Sequence, residues 1–355
     1  MARDHLVKTK MRITLEDIAR AAKVSVSTVS RALHGDPRVA VSTRNRILEA
    51  AQEMGYPLHP ELLGRVHGGG NGEPPVTRRI ALLIQTHEVF SFYGDAIMGL
   101  VEEGREYNIE VAMKLIPENT RLASHLDEAG NEGARAAVYL TWKALGEKER
   151  EELRGSPVPV ILVNRHLEGL TPAVTIDDFA AGRLAAFHLM QLNHRRIACL
   201  SGQLSASAMR ERTAGFRSAL EQHGCYDPAL FIERDRGRLI DWVQRSMDRL
   251  LSLPDPPTAI WAFNDMAASY VLMVANTMGL KVPEDLSVMG FDRNGQFREN
   301  HLTTFDIRQR VLARQTLRLA LAVLDGTVEP GVRWCVVPAL IPGATTGPAP
   351  NRDGR

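Results

Sequence analysis

Three short blocks of apolar residues at helical spacing, all within residues 13–56, constrain this chain more tightly than anything else in its 355 residues. The stretch reads ITLEDIARAAKVSVSTVSRALHGDPRVAVSTRNRILEAAQEMGY. Leu15, Ile18, Ala19 and Ala22 form the first block, Val29, Ala32 and Leu33 the second, and Ile47, Ala50, Ala51 and Met54 the third. Thr14 with Asp17 three residues on forms a capping-box pattern for the first helix. Lys23, Val24 and Ser25 leave room only for a tight turn before the second. Two short helices joined so closely predict a helix-turn-helix, whose second helix fits a DNA major groove.

The second helix carries the chemistry of a groove reader. Ser25, Val26, Ser27, Thr28, Ser30 and Arg31 occupy its start and its outer face, while Val29, Ala32 and Leu33 turn inward. Short hydroxyl side chains let a helix approach bases and phosphates closely, and an Arg can clamp a phosphate or bind guanine bidentately. A three-helix protein-binding module would share the same periodicity, with Ser and Thr only capping and solvating the helix.

The residues themselves separate these readings. The stretch resembles the headpiece of the lactose-repressor-type (LacI/GalR) transcription regulators. The likeness runs through Thr14-Leu15-x-Asp17-Ile18-Ala19, Val24-Ser25-x-x-Thr28-Val29-Ser30-Arg31-x-Leu33, Val39-Ala40-x-x-Thr43-Arg44 and Gly55-Tyr56. It implies that Val26 and Ser27 open the recognition helix and choose operator bases. It also implies that Thr14, Ser25, Thr28, Ser30, Thr43 and Arg44 position that helix mainly on phosphate. Lys23 stands where the family usually has Gly, and Ala40 where it often has Ser, so Ser42 is expected to start the third helix later.

Net charge over the whole chain is only +1, but it is unevenly spread. Residues 1–65 hold 11 Lys or Arg against 7 Asp or Glu, leaving −3 for the other 290. Positive charge is therefore concentrated where attraction to phosphate would use it. Cys199, Cys225 and Cys335 form no ligand or redox spacing, which predicts free, buried thiols and neither a disulfide framework nor a metal site. Residues 1–12 are charged and lack the apolar segment of a signal peptide, and the most apolar run, Ala267–Leu280, is too short to span a bilayer. A cytoplasmic bacterial protein associated with the nucleoid, with no cofactor and no membrane contact, is the expectation.

The domains expected are a headpiece over 12–56, a hinge and linker over 57–79, a core over 80–342 and a flexible tail over 343–355. Gly68-Gly69-Gly70 and Pro74-Pro75 break helix and strand alike, so the headpiece is expected to be tethered. The family folds the segment after the Tyr into a short minor-groove helix. Here its positions read Leu58, His59, Leu62 and Arg65, with Leu62 and Leu63 as the wedges. Beyond Arg79, short apolar strands alternate with helices, from Ile80–Ile84 to Ser287–Phe291. That order predicts an α/β core of two parallel-sheet lobes, with Val174–Ile176 beginning the second.

The core too resembles the family, and beyond it the periplasmic sugar-binding proteins. The matching stretches include Val163-Asn164-Arg165, Asp177-Asp178-x-x-x-Gly182-Arg183, Arg212-x-x-Gly215-Phe216, Phe263-Asn264-Asp265 and Gly290-Phe291-Asp292. The resemblance implies three crossings between lobes, near 163–175, 304–309 and 330–338.

Ligands of open parallel sheets bind beyond the carboxyl ends of the strands. Arg165, Asp265, Asp292 and Arg293 follow strands there, and Phe90, Phe92 and Tyr93 follow the first strand. Carboxylates and guanidinium groups take hydroxyls in pairs and rings stack on sugar CH faces, so the set suits a polyhydroxylated effector. By resemblance Phe92, Tyr93, Arg165 and Asp265 line the effector pocket, to which Asp292 and Arg183 are added. A nucleobase, a sugar phosphate, or a site without ligand is also compatible with these residue types.

The core alone would suit a cytosolic solute-binding protein or an enzyme. His188, His194 and the Ser201–Ser207 cluster come without a nucleophile elbow or metal spacing, and His194 is expected to be a structural cap. The reading reached is a regulator, a repressor by expectation, that answers to a small carbohydrate-like effector and is not an enzyme. It is expected to bind operator DNA as a homodimer joined through its cores. Pro342, Pro348 and Pro350 exclude a C-terminal coiled coil that would pair such dimers.

Overall fold

The computed structural model describes residues 14–33, 36, 39–54, 56, 78–85, 92–117, 119–141, 145–293 and 301–351, which form a small N-terminal unit and a larger one. Leu62 and the linker before Arg78, with Phe90 of the first loop, lie outside the described residues.

The small unit has three helices, α1 (Leu15–Ala22), α2 (Val26–Leu33) and α3 (Val41–Glu53). Ile18, Ala22, Val29, Ala32, Ile47 and Ala51, from all three apolar blocks, meet in one core. Thr14 and Asp17 form both halves of the capping box, with the Thr14 amide donating to Asp17 at 2.9 Å. Lys23 ends α1 in the left-handed region at φ 53°, so the turn is made without the glycine that favours it. At the other departure the expectation fails. Helix α3 starts at Val41, directly after Ala40, and the Arg44 amide donates to the Ala40 carbonyl at 2.9 Å. Ser42 therefore lies within the first turn and does not delay the helix.

The large unit begins with a six-stranded sheet made of β1 (Arg78–Gln85), β2 (Ile109–Ile116), β3 (Ala134–Leu140), β4 (Val160–Val163), β5 (Ala173–Ile176) and β11 (Arg333–Val336). Its order is β11-β5-β4-β3-β1-β2. Strands β4 and β5 are buried along their whole length, as parallel strands covered on both faces must be. Helices α4 (Gly94–Glu106), α5 (Leu122–Asn131) and α6 (Glu147–Arg154) belong to this lobe. The second sheet, of order β7-β6-β8-β9, holds β6 (Ile197–Ser201), β7 (Phe231–Glu233), β8 (Ala259–Ala262) and β9 (Ser287–Met289). Around it run α7 (Asp178–Gln191), α8 (Ser207–Gln222), α9 (Leu239–Leu251) and α10 (Asp265–Thr277).

Three connections join the lobes, one of them displaced from expectation. Strand β5 pairs parallel with β4, Leu162 opposite Ala173, and with β11. Val174–Ile176 therefore completes the first sheet instead of opening the second, and the chain crosses only at Asp177, where α7 begins. It returns through β10 (Thr304–Asp306) into α11 (Gln309–Leu324) and crosses last between β11 and β12 (Ala339–Ile341), which pairs antiparallel with β10.

The segment expected as a flexible tail is also different through residue 351. Gly343 donates to Thr303, Thr345 is buried, the Gly347 carbonyl meets Ser287 and His194, and Ala349 donates to the Leu192 carbonyl. The three prolines prevent a helix, but the segment lies hydrogen-bonded across the second lobe. Cys199 and Cys225 are buried free thiols, whereas Cys335 is exposed, because β11 is an edge strand. Among the described residues no helix is long and apolar enough to cross a membrane.

Candidate functional site

Helix α2 offers a polar, capped N-terminus. Ser25 precedes it and accepts from the Thr28 amide at 3.2 Å, and its hydroxyl lies 2.9 Å from that of Ser27 and 2.7 Å from that of Thr28. This N-cap leaves the first turn regular and its outward face free of bulk. Val26 is 41% exposed, whereas Val29 and Ala32 of the same helix are fully buried. Ser27 and Arg31 are exposed beside it, and Thr14 is exposed at the start of α1. Thr28, Ser30 and Thr43 are half-buried. Arg44 is turned inward: its guanidinium donates to the Asp36 carbonyl, which fastens the segment before α3.

The cleft between the lobes is built around one ion pair that residue patterns did not single out. Arg212, on α8, reaches Asp178 through Nε at 2.9 Å and Nη2 at 2.6 Å, and donates through Nη1 to the Phe263 carbonyl at 2.7 Å. Its guanidinium carbon stands 3.4 Å from the centroid of the Phe291 ring, a stacked cation–π contact. Asp178 opens α7, directly after the first crossing. The approach of α7 to α8 depends on two glycines. A Cβ on Gly182 would stand 2.0 Å from the Arg212 carbonyl oxygen, and one on Gly215 would stand 2.0 Å from that of Phe179.

Most of the expected effector residues converge here. Asp265, the first residue of α10, is buried and accepts from the Thr304 hydroxyl at 2.5 Å. A Cβ on Gly290 would lie 2.5 Å from the same Asp265 oxygen, so the glycine makes room for the carboxylate. Burial pushes the carboxyl of Asp292 well above the usual range, against the pull of Arg212 and with the push of Asp265 and Asp178. Burial likewise raises the Asp178 carboxyl, with Arg212 opposing. From the first lobe, Asn164 donates to the Tyr93 hydroxyl at 2.6 Å, and Arg165 donates to the Asn164 carbonyl at 2.6 Å. Burial lifts the Tyr93 phenol to about 12, while Arg165, Asp292 and Asp178 all act on it electrostatically. Phe92 meets the Tyr93 ring edge-on at 4.8 Å and its carbonyl accepts from Gln309.

Arg183 is not part of this cluster. It donates to Gln222 at the end of α8 and lies over the Phe187 ring at 5.3 Å. Asp292 also lines a cavity of about 280 Å³, together with Asp95, Arg293, Asp306 and Arg308 among others. Arg293 and Asp306, both on its wall, pair at 2.7 Å.

His194 stands apart from the cleft. Fully buried, it approaches Thr258 through Nδ1 at 2.8 Å, and Ser287 and the Gly347 carbonyl through Nε2, both at 3.0 Å. It joins the second lobe to the C-terminal segment, in keeping with a structural role.

Two family models match parts of the chain. Residues 14–59 match the model for bacterial regulatory proteins of the lacI family, and residues 186–346 match a periplasmic binding protein-like domain. The chain is 31% identical over 343 residues to the HTH-type transcriptional repressor CytR of Escherichia coli K12, covering 95% of this chain and 98% of that one. Among solved structures it is similar to a complex of the transcriptional regulator CelR with cellobiose, with a TM-score of 0.65 and 24% identity over 94% of this chain and all of the other. It is also similar to the lac repressor dimer bound to operator and an anti-inducer, with a TM-score of 0.64 and 21% identity over 95% of this chain and all of the other.

Proposed function

The chain belongs to the lacI family of bacterial regulatory proteins and is a DNA-binding transcriptional regulator, and on that premise we propose that it is a repressor working as a homodimer on a near-palindromic operator. Val26 carries the DNA part of this reading. An apolar side chain left 41% exposed on an otherwise inward-packing helix has a use against thymine methyl groups and base edges in the major groove. Ser27 and Arg31 flank it, and the exposed hydroxyls of Thr14 and Ser25 with those of Thr28, Ser30 and Thr43 take phosphate. Arg44 contributes mainly by bracing the segment before α3. One recognition helix covers only a few base pairs, so two headpieces are needed; the lac repressor dimer on its operator is the precedent.

The effector is a sugar or sugar derivative held between Arg165 and Tyr93 of the first lobe and Asp265, Asp292 and Arg212 of the second. Buried carboxylates and guanidinium groups beside an aromatic ring match vicinal hydroxyls and a sugar CH face, and CelR holds cellobiose on this fold. The protein acts in the cytoplasm and catalyses no reaction: His194, beside the Ser201–Ser207 cluster the residue that most invites a hydrolase reading, is occupied in holding the C-terminal segment. Binding-site selection from random duplexes tests the DNA assignment. Replacing Val26 and Ser27 should change the selected half-site, and an unchanged consensus would sink it.

A further inference from the structure

Outside the cleft, one polar cluster joins elements of different lobes. Arg333, on β11 of the first sheet, donates to Glu211 on α8 of the second lobe through Nη1 at 3.1 Å and Nη2 at 2.6 Å. Its Nε donates to the Thr175 hydroxyl on β5 at 2.9 Å. His166 completes the group, its Nε2 lying 3.7 Å from Glu211. The pair is half-buried, each side chain 29% exposed, so water screens it only in part. A two-pronged guanidinium–carboxylate contact fixes orientation as well as distance.

The placement of these residues gives the pair a purpose. Glu211 directly precedes Arg212 on α8, and His166 directly follows Arg165 after β4. Thr175 lies two residues before the crossing at Asp177. Glu211 and His166 are thus covalently next to residues of the cleft, and Thr175 and Arg333 lie on strands that lead into connections between lobes. We propose that Arg333 and Glu211 are an interlobe clasp that holds the lobes in the docked arrangement and couples it to the grip of Arg165 and Arg212 on the effector. This inference rests on the reading of the cleft as the effector site. A helix is stiff over one turn, so a ligand that draws on Arg212 moves Glu211 with it, and opening the lobes separates Glu211 from Arg333. The clasp sets how far the chain is closed before any effector arrives, and with it the share of molecules ready to bind.

Spin-label distances in the full-length chain test this without a ligand. Labels are placed at Lys148→Cys on α6 and Arg249→Cys on α9, both exposed, in a Cys335→Ser background that leaves only the buried Cys199 and Cys225 as natural thiols. The labelled chain is diluted in excess unlabelled chain so that each dimer holds one labelled protomer. The chain with the clasp intact should show one dominant interlobe distance. Glu211→Gln and Arg333→Gln, near-isosteric and uncharged, should each remove at least half of that population in favour of longer distances. The reversed pair, Glu211→Arg with Arg333→Glu, should restore most of it, which a merely local packing role would not do. A native distribution in both single variants, or no recovery in the reversed pair, would overturn the clasp. Because no ligand is present, that failure leaves the effector reading standing; a sugar panel that binds nowhere would strike the effector reading and leave these distances unaffected.

Discussion

Arg212 and Asp178 form an ion pair in which both side chains are at least 95% buried, and the Phe291 ring covers the guanidinium face. Burying two charges costs several kcal/mol each, and only good geometry with further hydrogen bonds offsets it. Here Nη1 finds the Phe263 carbonyl, so the pair is satisfied where it stands. A solvent-facing lattice of charges would stabilise at lower cost. The effector reading proposed above gives the arrangement a use, as a fixed charged wall of low dielectric beside the ligand.

Removing one partner should therefore hurt more than removing both. Asp178→Ala leaves a buried guanidinium without its carboxylate and should cost about 3–5 kcal/mol. Asp178→Leu combined with Arg212→Met should recover much of that stability while leaving the effector response absent. Urea unfolding of the two variants checks this, and equal stability losses would contradict it.

The crossing of α7 over α8 gives a second expectation. In Gly215→Ala the added methyl would start 2.0 Å from the Phe179 carbonyl oxygen and 2.8 Å from its carbon, both backbone atoms that cannot swing away. Overpacking ordinarily costs about 1–3 kcal/mol, and a clash with backbone belongs at or above the top of that range. Thermal unfolding should show a drop of several degrees. A melting point within one degree of the parent would show that the helices can separate freely.

Much of this fold is legible in the sequence because the central strands are unbroken apolar runs, as in Ile80–Ile84 and Ala259–Ala262. The crossing strands are not. Thr304–Asp306 and Arg333–Val336 mix polar and apolar residues in three or four positions, too few to establish a period. Residue patterns alone also cannot say which strand of a crossing belongs to which sheet, hence the misplacement of β5. In the cleft, Asp265, Asp292, Arg165 and Tyr93 are visible because they follow strands. Arg212 is hidden in mid-helix, where an arginine is ordinarily solvated. Its signal was Gly215 three residues on, which marks a close backbone approach on the same face. Arg183 misleads for the complementary reason: one residue past Gly182 is about 100° around the helix, enough to point it at Gln222 and Phe187.

His194 carries a pH dependence with a definite sign. Burial holds its imidazole below the ordinary value, partly offset by the Gly347 carbonyl, with His188 adding to the depression. The unfolded chain therefore takes up this proton first, and the stability His194 contributes is full above ~6.5 and lost as pH falls below it. His166 and His188 are shifted the same way, whereas Asp178 and Asp292, held above their usual range, act in the opposite sense. Comparing the parent with His194→Gln cancels those contributions. The stability gap between them should be largest near pH 8 and shrink by at least half near pH 5. A gap independent of pH would mean that His194 is not held neutral.

Asp265 is where ligand response and fold can be separated. Its carboxylate sits at the first turn of α10, accepts from Thr304, and occupies the space left by Gly290. Arg165 follows β4 in the other lobe, so a hydroxylated ligand held by both, as proposed, would bind more tightly when the lobes approach. That difference in affinity is all a ligand has with which to shift the core, typically ~1–3 kcal/mol of coupling. Asp265→Asn keeps the shape and one acceptor but weakens the charge-assisted bond to the ligand; Asp265→Ala removes both. Operator affinity without effector should stay within about threefold of the parent in both variants, because α2 belongs to a different unit. With the effector found by screening unmodified sugars in a DNA-release assay, Asp265→Ala should fail to respond and Asp265→Asn should need at least tenfold more. A normal response from Asp265→Ala would remove Asp265 from the effector site and leave the DNA-binding headpiece untouched.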